Sequence, residues 1–222
     1  MIGRIIVENL HDTMNGITQT VTHTIGTNMK NPLPRCPWLM FDDPLYLSYH
    51  DKEWGVPVHD DRSIYEFLVL EAFQAGLSWR TILHKRDSFR RAFAAFDAQK
   101  VSRFTKHDVK RLLQDVGIIR NRQKIEAAIV NAKCFLEVRQ EFGTFATYMW
   151  SWVGNRPIVH QLRTLKDYQP YADEAVRWAK DLKQRGFKFL GPTVIYAHMQ
   201  AVGMVNDHTI DCFRYRQLMR ST

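Results

Sequence analysis

Residues 108–132 read DVKRLLQDVGIIRNRQKIEAAIVNA, and this stretch decides the fold. One helix ends at Gly117, a short turn Ile118-Ile119-Arg120 follows, and a second helix starts after Asn121. Thr105 with Asp108 opens the first helix, predicted over 106–116, and Asn121 opens the second, predicted over 122–142 and closed by Gly143. A helix-hairpin-helix exposes turn amides and the N-terminus of its second helix, which together suit a phosphate. Arg120, Arg122 and Lys124 add positive charge. Candidate DNA contacts are therefore Gly117, Ile118, Ile119, Arg120, Arg122 and Lys124. Such contacts position a protein on DNA without reading its sequence. A plain corner between two helices is the bland alternative.

Helical punctuation continues on both sides. Ser63 with Glu66 suggests a capping box ahead of a helix over 64–75, with Gly76 after it. Ser78 can cap 79–93 and Asp97 can cap 98–104. Further helices are expected over 145–153, over 173–185 before Gly186, and from Pro192 to a stop at Gly203. Alternating strand patterns are scarce, so the fold class is all-α. Residues 1–31 are rich in Thr, Asn and Gly and show no sustained period, which predicts an extension with little fixed structure. Residues 32–222 are predicted to form one helical domain, with the helix-hairpin-helix at about 106–142.

With 45% apolar and 24% charged residues, the 222-residue chain has the composition of a globular protein. No stretch has the apolar length of a membrane span, and no secretory signal is read at the N-terminus, so the expected location is cytoplasmic. Three cysteines, Cys36, Cys134 and Cys212, argue against a disulfide framework. Cys134, within a helical run, reads as a small buried apolar residue. Net charge is +8, and between Lys100 and Lys124 eight Lys or Arg face two acids. That concentration is the footprint of a polyanion binder, although a solvated helix face would also account for it.

The remaining thiols pair with histidines. Cys36 and His50 form one half-site, and His208 and Cys212 form another in Asn206-Asp207-His208-Thr209-Ile210-Asp211-Cys212. On a helix, residues four apart share a face, so His208 and Cys212 can aim at one ion. Two thiolates and two imidazoles make a closed tetrahedral zinc site, which marks a structural metal. One Zn2+ per chain would join the N- and C-terminal segments of the folded body.

On the helix over 64–75, Ile64, Phe67, Leu68, Glu71 and Ala75 share one face, and Tyr65, Val69 and Phe73 cover the other. Glu71 is thus a lone carboxylate in an apolar stripe, where it is costly unless paired. It serves either a structural ion pair or cap, or a ligand that donates hydrogen bonds. The turn Gln74-Ala75-Gly76-Leu77-Ser78-Trp79 presents Trp79 near Glu71. Upstream, residues 43–55 (DPLYLSYHDKEWG) place Tyr46, Tyr49 and Trp54 beside a proposed metal ligand. A Trp face favours planar cations, so aromatics with one carboxylate suit a positively charged heterocycle. Taken singly, each aromatic is explained by core packing.

These motifs together resemble the DNA-3-methyladenine glycosylase I family of the helix-hairpin-helix glycosylase superfamily. The resemblance runs from about Arg35 to Tyr215. It rests on Cys36-Pro37-Trp38, Asp43-Pro44-Leu45-Tyr46, residues 49–57 (YHDKEWGVP), Gln74 to Trp79, Gly117-Ile118-Ile119-Arg120, residues 185–189 (RGFKF) and Val205-Asn206-Asp207-His208. It implies a structural zinc on Cys36, His50, His208 and Cys212. It also implies a base pocket of Glu71, Trp79 and Tyr49, with Glu71 in the catalytic role and Tyr46, Trp38 and Trp54 at nearby aromatic positions. The extension before Cys36 lies outside the family pattern. The wider superfamily places a catalytic Asp shortly after the hairpin, but here the first Asp past Gly117 is Asp167, with Glu126, Glu137 and Glu141 between.

The expected activity is flipping and hydrolytic removal of 3-methyladenine from alkylated double-stranded DNA by a monomer, without a lyase step, since no reactive Lys is evident near the pocket. Leu77 is the candidate plug for the gap left by the flipped base, and Gly76 beside it is a further candidate DNA contact. Free 3-methyladenine is the product. Two other readings are a catalytically silent binder of alkylated DNA and a hydrolytic zinc enzyme. The latter requires an open metal position that four ligands do not leave.

Overall fold

The computed structural model describes residues 33–220, so the expectation for residues 1–31 lies outside the described residues. Helices dominate. They are α1 (Pro44–Lys52), α2 (Asp61–Gln74), α3 (Trp79–Ala92), α4 (Ala98–Val101), α5 (Lys106–Gln114), α6 (Arg122–Phe142), α7 (Phe145–Ser151), α8 (Asp173–Gln184), α9 (Pro192–Ala201) and α10 (Phe213–Arg220). Two residues of β1 (Ile158–Val159) pair in parallel with two of β2 (Val205–Asn206). No helix among the described residues is long and apolar enough to cross a membrane.

The hairpin forms where its local chemistry puts it. Thr105 and Asp108 make the capping box of α5, the Asn121 side chain accepts from the Lys124 amide to start α6, and Gly143 ends it at φ +85°. Elsewhere the caps differ from the sequence reading. Asp60, not Ser63, caps α2, its carboxylate accepting from the Ser63 amide and hydroxyl at 2.8 Å each. Asp97 does cap its helix, but α4 stops at Val101. A further helix, α1, starts at Pro44 with Asp43 as its cap.

The core is one contiguous apolar cluster. Phe73, Phe89, Phe93, Phe96, Phe135 and Phe145 are fully buried in it, and the rings of Phe135 and Phe145 stack at 4.1 Å. Helix α2 lies across this core, against α3, α6, α7 and α9, and every residue from Ile64 to Gln74 is buried. The segment after α1 docks on the end of α9: the Gly55 amide donates to the Gln200 carbonyl at 3.1 Å, and Val58 to Val202 at 3.1 Å. That docking brings the last described elements beside α1.

Candidate active site

Glu71 sits in the middle of α2, 2% exposed. Burial pushes its carboxyl up to about 8. Among the described residues no cation pairs with it. The contact it has is Gln74, one turn on: in the amide orientation that satisfies both neighbours, Gln74 donates to Glu71 Oε2 and accepts from the Trp79 amide, each at 3.3 Å. Trp79 opens α3, whose cap is Ser78 accepting from the Thr81 amide at 3.2 Å. The Trp79 ring is buried and its indole N–H is without a partner. Tyr49 lies 5.3 Å from it, tilted by 46°. Tyr46 and Tyr49 are three apart on α1 and both buried, and burial followed by the Glu71 charge raises both phenols. Glu71, Trp79, Tyr46 and Tyr49 therefore share one region, as the sequence suggested.

Trp38 and Trp54 serve a different neighbourhood. Their rings meet edge to face at 4.8 Å; Trp54 packs on His208 at 4.6 Å, and Trp38 on His50 at 5.4 Å and Tyr46 at 5.7 Å. Trp54 thus walls the metal-ligand cluster, while Trp38 bridges from that cluster towards the tyrosines.

Sequence reasoning missed a brace between the two walls. Asp43 caps α1 by accepting from the Leu45 and Tyr46 amides, and its Oδ2 also accepts from Arg80 Nε and His84 Nε2 at 2.7 Å each. Burial alone would raise this carboxyl; hydrogen bonds from His84, the Tyr46 amide and Arg80 outweigh it and hold the group at about 2. One side chain therefore ties the tyrosine helix α1 to the tryptophan helix α3. The Asp-Pro step at 43–44 was the available signal, since Pro favours the first helical position.

The four candidate metal ligands, Cys36, His50, His208 and Cys212, are all buried, with their donor atoms within 4.8 Å of one another, so the cluster could hold a metal ion. Cys36 Sγ and Cys212 Sγ each lie 3.4 Å from His208 Nδ1, and Cys212 Sγ lies 3.6 Å from His50 Nε2. A tetrahedral zinc with ordinary Zn–S and Zn–N lengths needs S···N edges of about 3.5 Å, so the donor set fits the ion. Both imidazoles are oriented by their other nitrogen: His50 Nδ1 meets Asp51 at 2.8 Å, and His208 Nε2 meets the Trp54 carbonyl at 3.1 Å. Burial and the adjacent Cys212 sulfur raise the Cys36 thiol well above its usual range. His208 and Cys212 do not lie on a helix. They occupy the turn before α10, closed by the Cys212 amide on the Thr209 carbonyl at 2.8 Å. The cluster joins the start of the described chain to its last turns.

In the hairpin, Ile118 is buried and Ile119 half-buried, while Arg120, Asn121 and Arg122 are exposed. Gly117 donates to Asp115 Oδ1 at 2.8 Å and lies tight against α3, where an added Cβ would come within 2.8 Å of Ser88 Cβ. Lys124 is corrected from the expected surface contact: it is 8% exposed, and its ammonium donates inward to the carbonyls of Phe73, at 2.8 Å, and Ala75. Between pocket and surface, Ala75, Gly76 and Leu77 form an exposed turn, with Gly76 at φ +89°.

Residues 38–215 match the family model for methyladenine glycosylase. The chain is 46% identical to DNA-3-methyladenine glycosylase 1 of Escherichia coli (strain K12) over 183 residues, which is 82% of this chain and 97% of that protein. It is 42% identical to DNA-3-methyladenine glycosylase of Haemophilus influenzae, covering 80% and 96%. Among solved structures, a Tyr-to-Phe variant of 3-methyladenine DNA glycosylase I (TAG) in complex with 3-methyladenine superposes with a TM-score of 0.79 at 37% identity, covering 82% of this chain and 97% of that one.

Proposed function

Because this chain belongs to the methyladenine glycosylase family, we propose that its buried Glu71 and Trp79 enclose a flipped 3-methyladenine and that the protein hydrolyses that base from alkylated duplex DNA. The chain is a DNA glycosylase, and it removes 3-methyladenine in base-excision repair. The observation that carries the pocket is a buried carboxylate that no cation among the described residues pairs, joined through Gln74 to the amide of Trp79, whose ring packs on Tyr49.

Methylation at N3 makes the nucleoside base cationic, so it is already a good leaving group. Trp79 stacks on the purine, worth roughly 0.5–2 kcal/mol over an uncharged adenine. Glu71 accepts hydrogen bonds from the base edge, and Tyr49 completes the wall. The C1′–N9 bond breaks with its electron pair leaving on the base, which departs neutral. Water then adds to C1′ of the oxocarbenium-like sugar and loses a proton. Flanking phosphates stabilise that cation, since no Asp follows the hairpin before Asp167. Glu71 is the catalytic group because it holds the departing base.

The lysines support base excision without a lyase step. The one buried Lys among the described residues, Lys124, is engaged by two carbonyls and offers no free amine. Cys36, His50, His208 and Cys212 would hold one structural Zn2+, which would supply a cross-link between the two ends of the described chain. The exposed Arg120 and Arg122, with the turn Gly117 to Ile119, contact the DNA backbone, and Leu77 fills the gap in the duplex. The protein acts as a monomer.

Chromatography of bases released from methylated DNA tests the activity. Release of 3-methyladenine by wild type, with weakened free-base binding in Glu71→Gln and Trp79→Ala, is the expected result. Wild-type affinity in both variants excludes this pocket, and duplex binding without release supports a silent binder instead.

A further inference from the structure

We propose that Lys124 is a positioning residue that couples the hairpin's hold on the DNA backbone to the turn that presents the base pocket. The inference rests on the glycosylase reading above and deepens it.

Lys124 is the third residue of α6, directly behind the exposed pair Arg120 and Arg122. Its amide is held by the Asn121 cap at 3.1 Å. Its side chain runs the other way, into the protein, where the ammonium donates to the Phe73 carbonyl in the last turn of α2 and to the Ala75 carbonyl just beyond it. Those carbonyls belong to the group that every helix leaves unpaired at its C-terminus. Ala75 has already left the helix (φ −45°, ψ 113°), so its carbonyl belongs to the turn itself. Two residues beyond lies Leu77, 38% exposed, and two beyond that is Trp79.

A second contact set ties the hairpin to α3. Lys85 on α3 donates to the Val116 carbonyl at 3.1 Å, and Gly117 is packed against Ser88 of the same helix. The hairpin thus touches both helices that flank the turn: the end of α2 through Lys124, and α3 through Lys85 and Ser88. When phosphates seat on the hairpin, the turn from Ala75 to Ser78 is placed relative to the duplex by these contacts. A charged donor shared between two carbonyls is a stiff link, because either bond lost leaves a buried charge short of a partner.

A lysine that only caps a helix would change stability and nothing else. A coupling lysine splits the steps, because misplacing reacting groups by about 1 Å costs up to 100-fold in rate even when binding survives. The test uses the full chain in four measurements: melting temperature, affinity for free 3-methyladenine, affinity for undamaged duplex, and single-turnover excision from methylated duplex at saturating enzyme. Lys124→Met is expected to excise about tenfold slower or worse, with both affinities within about threefold of wild type. Lys85→Ala, an outer contact of the same link, is expected to slow excision by about threefold at unchanged melting temperature. Wild-type excision in folded Lys124→Met overturns the coupling. So does parallel loss of rate, both affinities and stability, which would mark general support of the fold. If Lys124→Met does not fold, Lys85→Ala decides, and an unchanged rate there overturns the proposal. Failure of wild type to release 3-methyladenine brings down the function and this inference together, whereas failure confined to the variants removes the inference alone.

Discussion

Glu71 and Trp79 are joined through one side chain, with Gln74 donating to the carboxylate and accepting from the Trp79 amide at 3.3 Å on each side. The hydrogen-bonding wall and the stacking wall of the pocket are thereby set by a single amide. Among the described residues the carboxylate has no cation beside it, and burial pushes it up to about 8. An uncompensated acid in a core is costly when ionised, so its retention fits a ligand that brings the missing donors.

The same burial predicts how stability depends on pH. The folded carboxyl keeps a proton that the unfolded chain releases from about pH 4 upward. Stability from this group is therefore full below the unfolded value and is lost as pH rises towards about 8. Glu71→Gln carries no such proton. Its melting temperature should gain on wild type by about 3–5 °C for each pH unit between about pH 5 and about pH 8, since a pH unit is worth about 1.4 kcal/mol and ~1 kcal/mol moves a chain of this size by about 2–4 °C. Parallel melting curves for the two proteins across that range would show that the acid is not buried in this way.

Asp43 predicts a different separation. Asn at this position keeps an oxygen for the Leu45 and Tyr46 amides but loses the charge that holds Arg80 and His84. Ala loses both, and the cap alone is worth about 1 kcal/mol. Asp43→Asn should therefore weaken free-base binding with a small stability loss, and Asp43→Ala should add the cost of the cap. In wild type the Asp43 contribution is present above the usual carboxylate range and is lost as pH falls towards about 2. Calorimetric titration of 3-methyladenine checks the brace; full affinity in Asp43→Asn would show that α1 and α3 keep their relation without it.

Much of this was legible in the sequence where the signal is local. The hairpin follows from the Thr105–Asp108 box, the Asn121 cap and the Gly143 stop, all chemistry within a few residues. Where two local signals competed, the wrong one was read: Ser63 and Glu66 mimic a capping box, yet Asp60 takes the Ser63 amide. The four side chains that cluster were singled out by residue type, but the helix assumed for His208 and Cys212 is a turn, and the two donors still converge. Lys124 could not be placed from sequence, because only the docking of α6 on the end of α2 distinguishes it from its exposed neighbours Arg120 and Arg122.

The metal cluster predicts about one equivalent of zinc per chain by metal analysis of purified protein. The four ligands come from opposite ends of the described chain, so losing one should open that closure without touching Glu71. Cys212→Ser is expected to lower the melting temperature clearly while excision at low temperature stays close to wild type. Well-folded protein without metal, or an excision rate that falls at once on chelation while the fold persists, would contradict a purely structural ion.

Leu77 and Gly76 carry the last prediction. Leu77 is 38% exposed at a turn whose conformation depends on Gly76 at φ +89°, where an added Cβ meets nothing within 4 Å. Gly76→Ala therefore fits sterically but strains the backbone by about 1 kcal/mol or more, enough to tilt the turn. Leu77→Ala leaves the turn intact and removes only the apolar wedge. Both variants should bind free 3-methyladenine nearly as wild type does, because neither residue belongs to the enclosed walls. Both should excise from methylated duplex more slowly, since a flipped base returns more readily to an unfilled gap. Single-turnover excision at saturating enzyme separates the two steps. An unchanged rate in Leu77→Ala would mean that another side chain fills the gap, and the exposed Val116 at the hairpin would be the next to test.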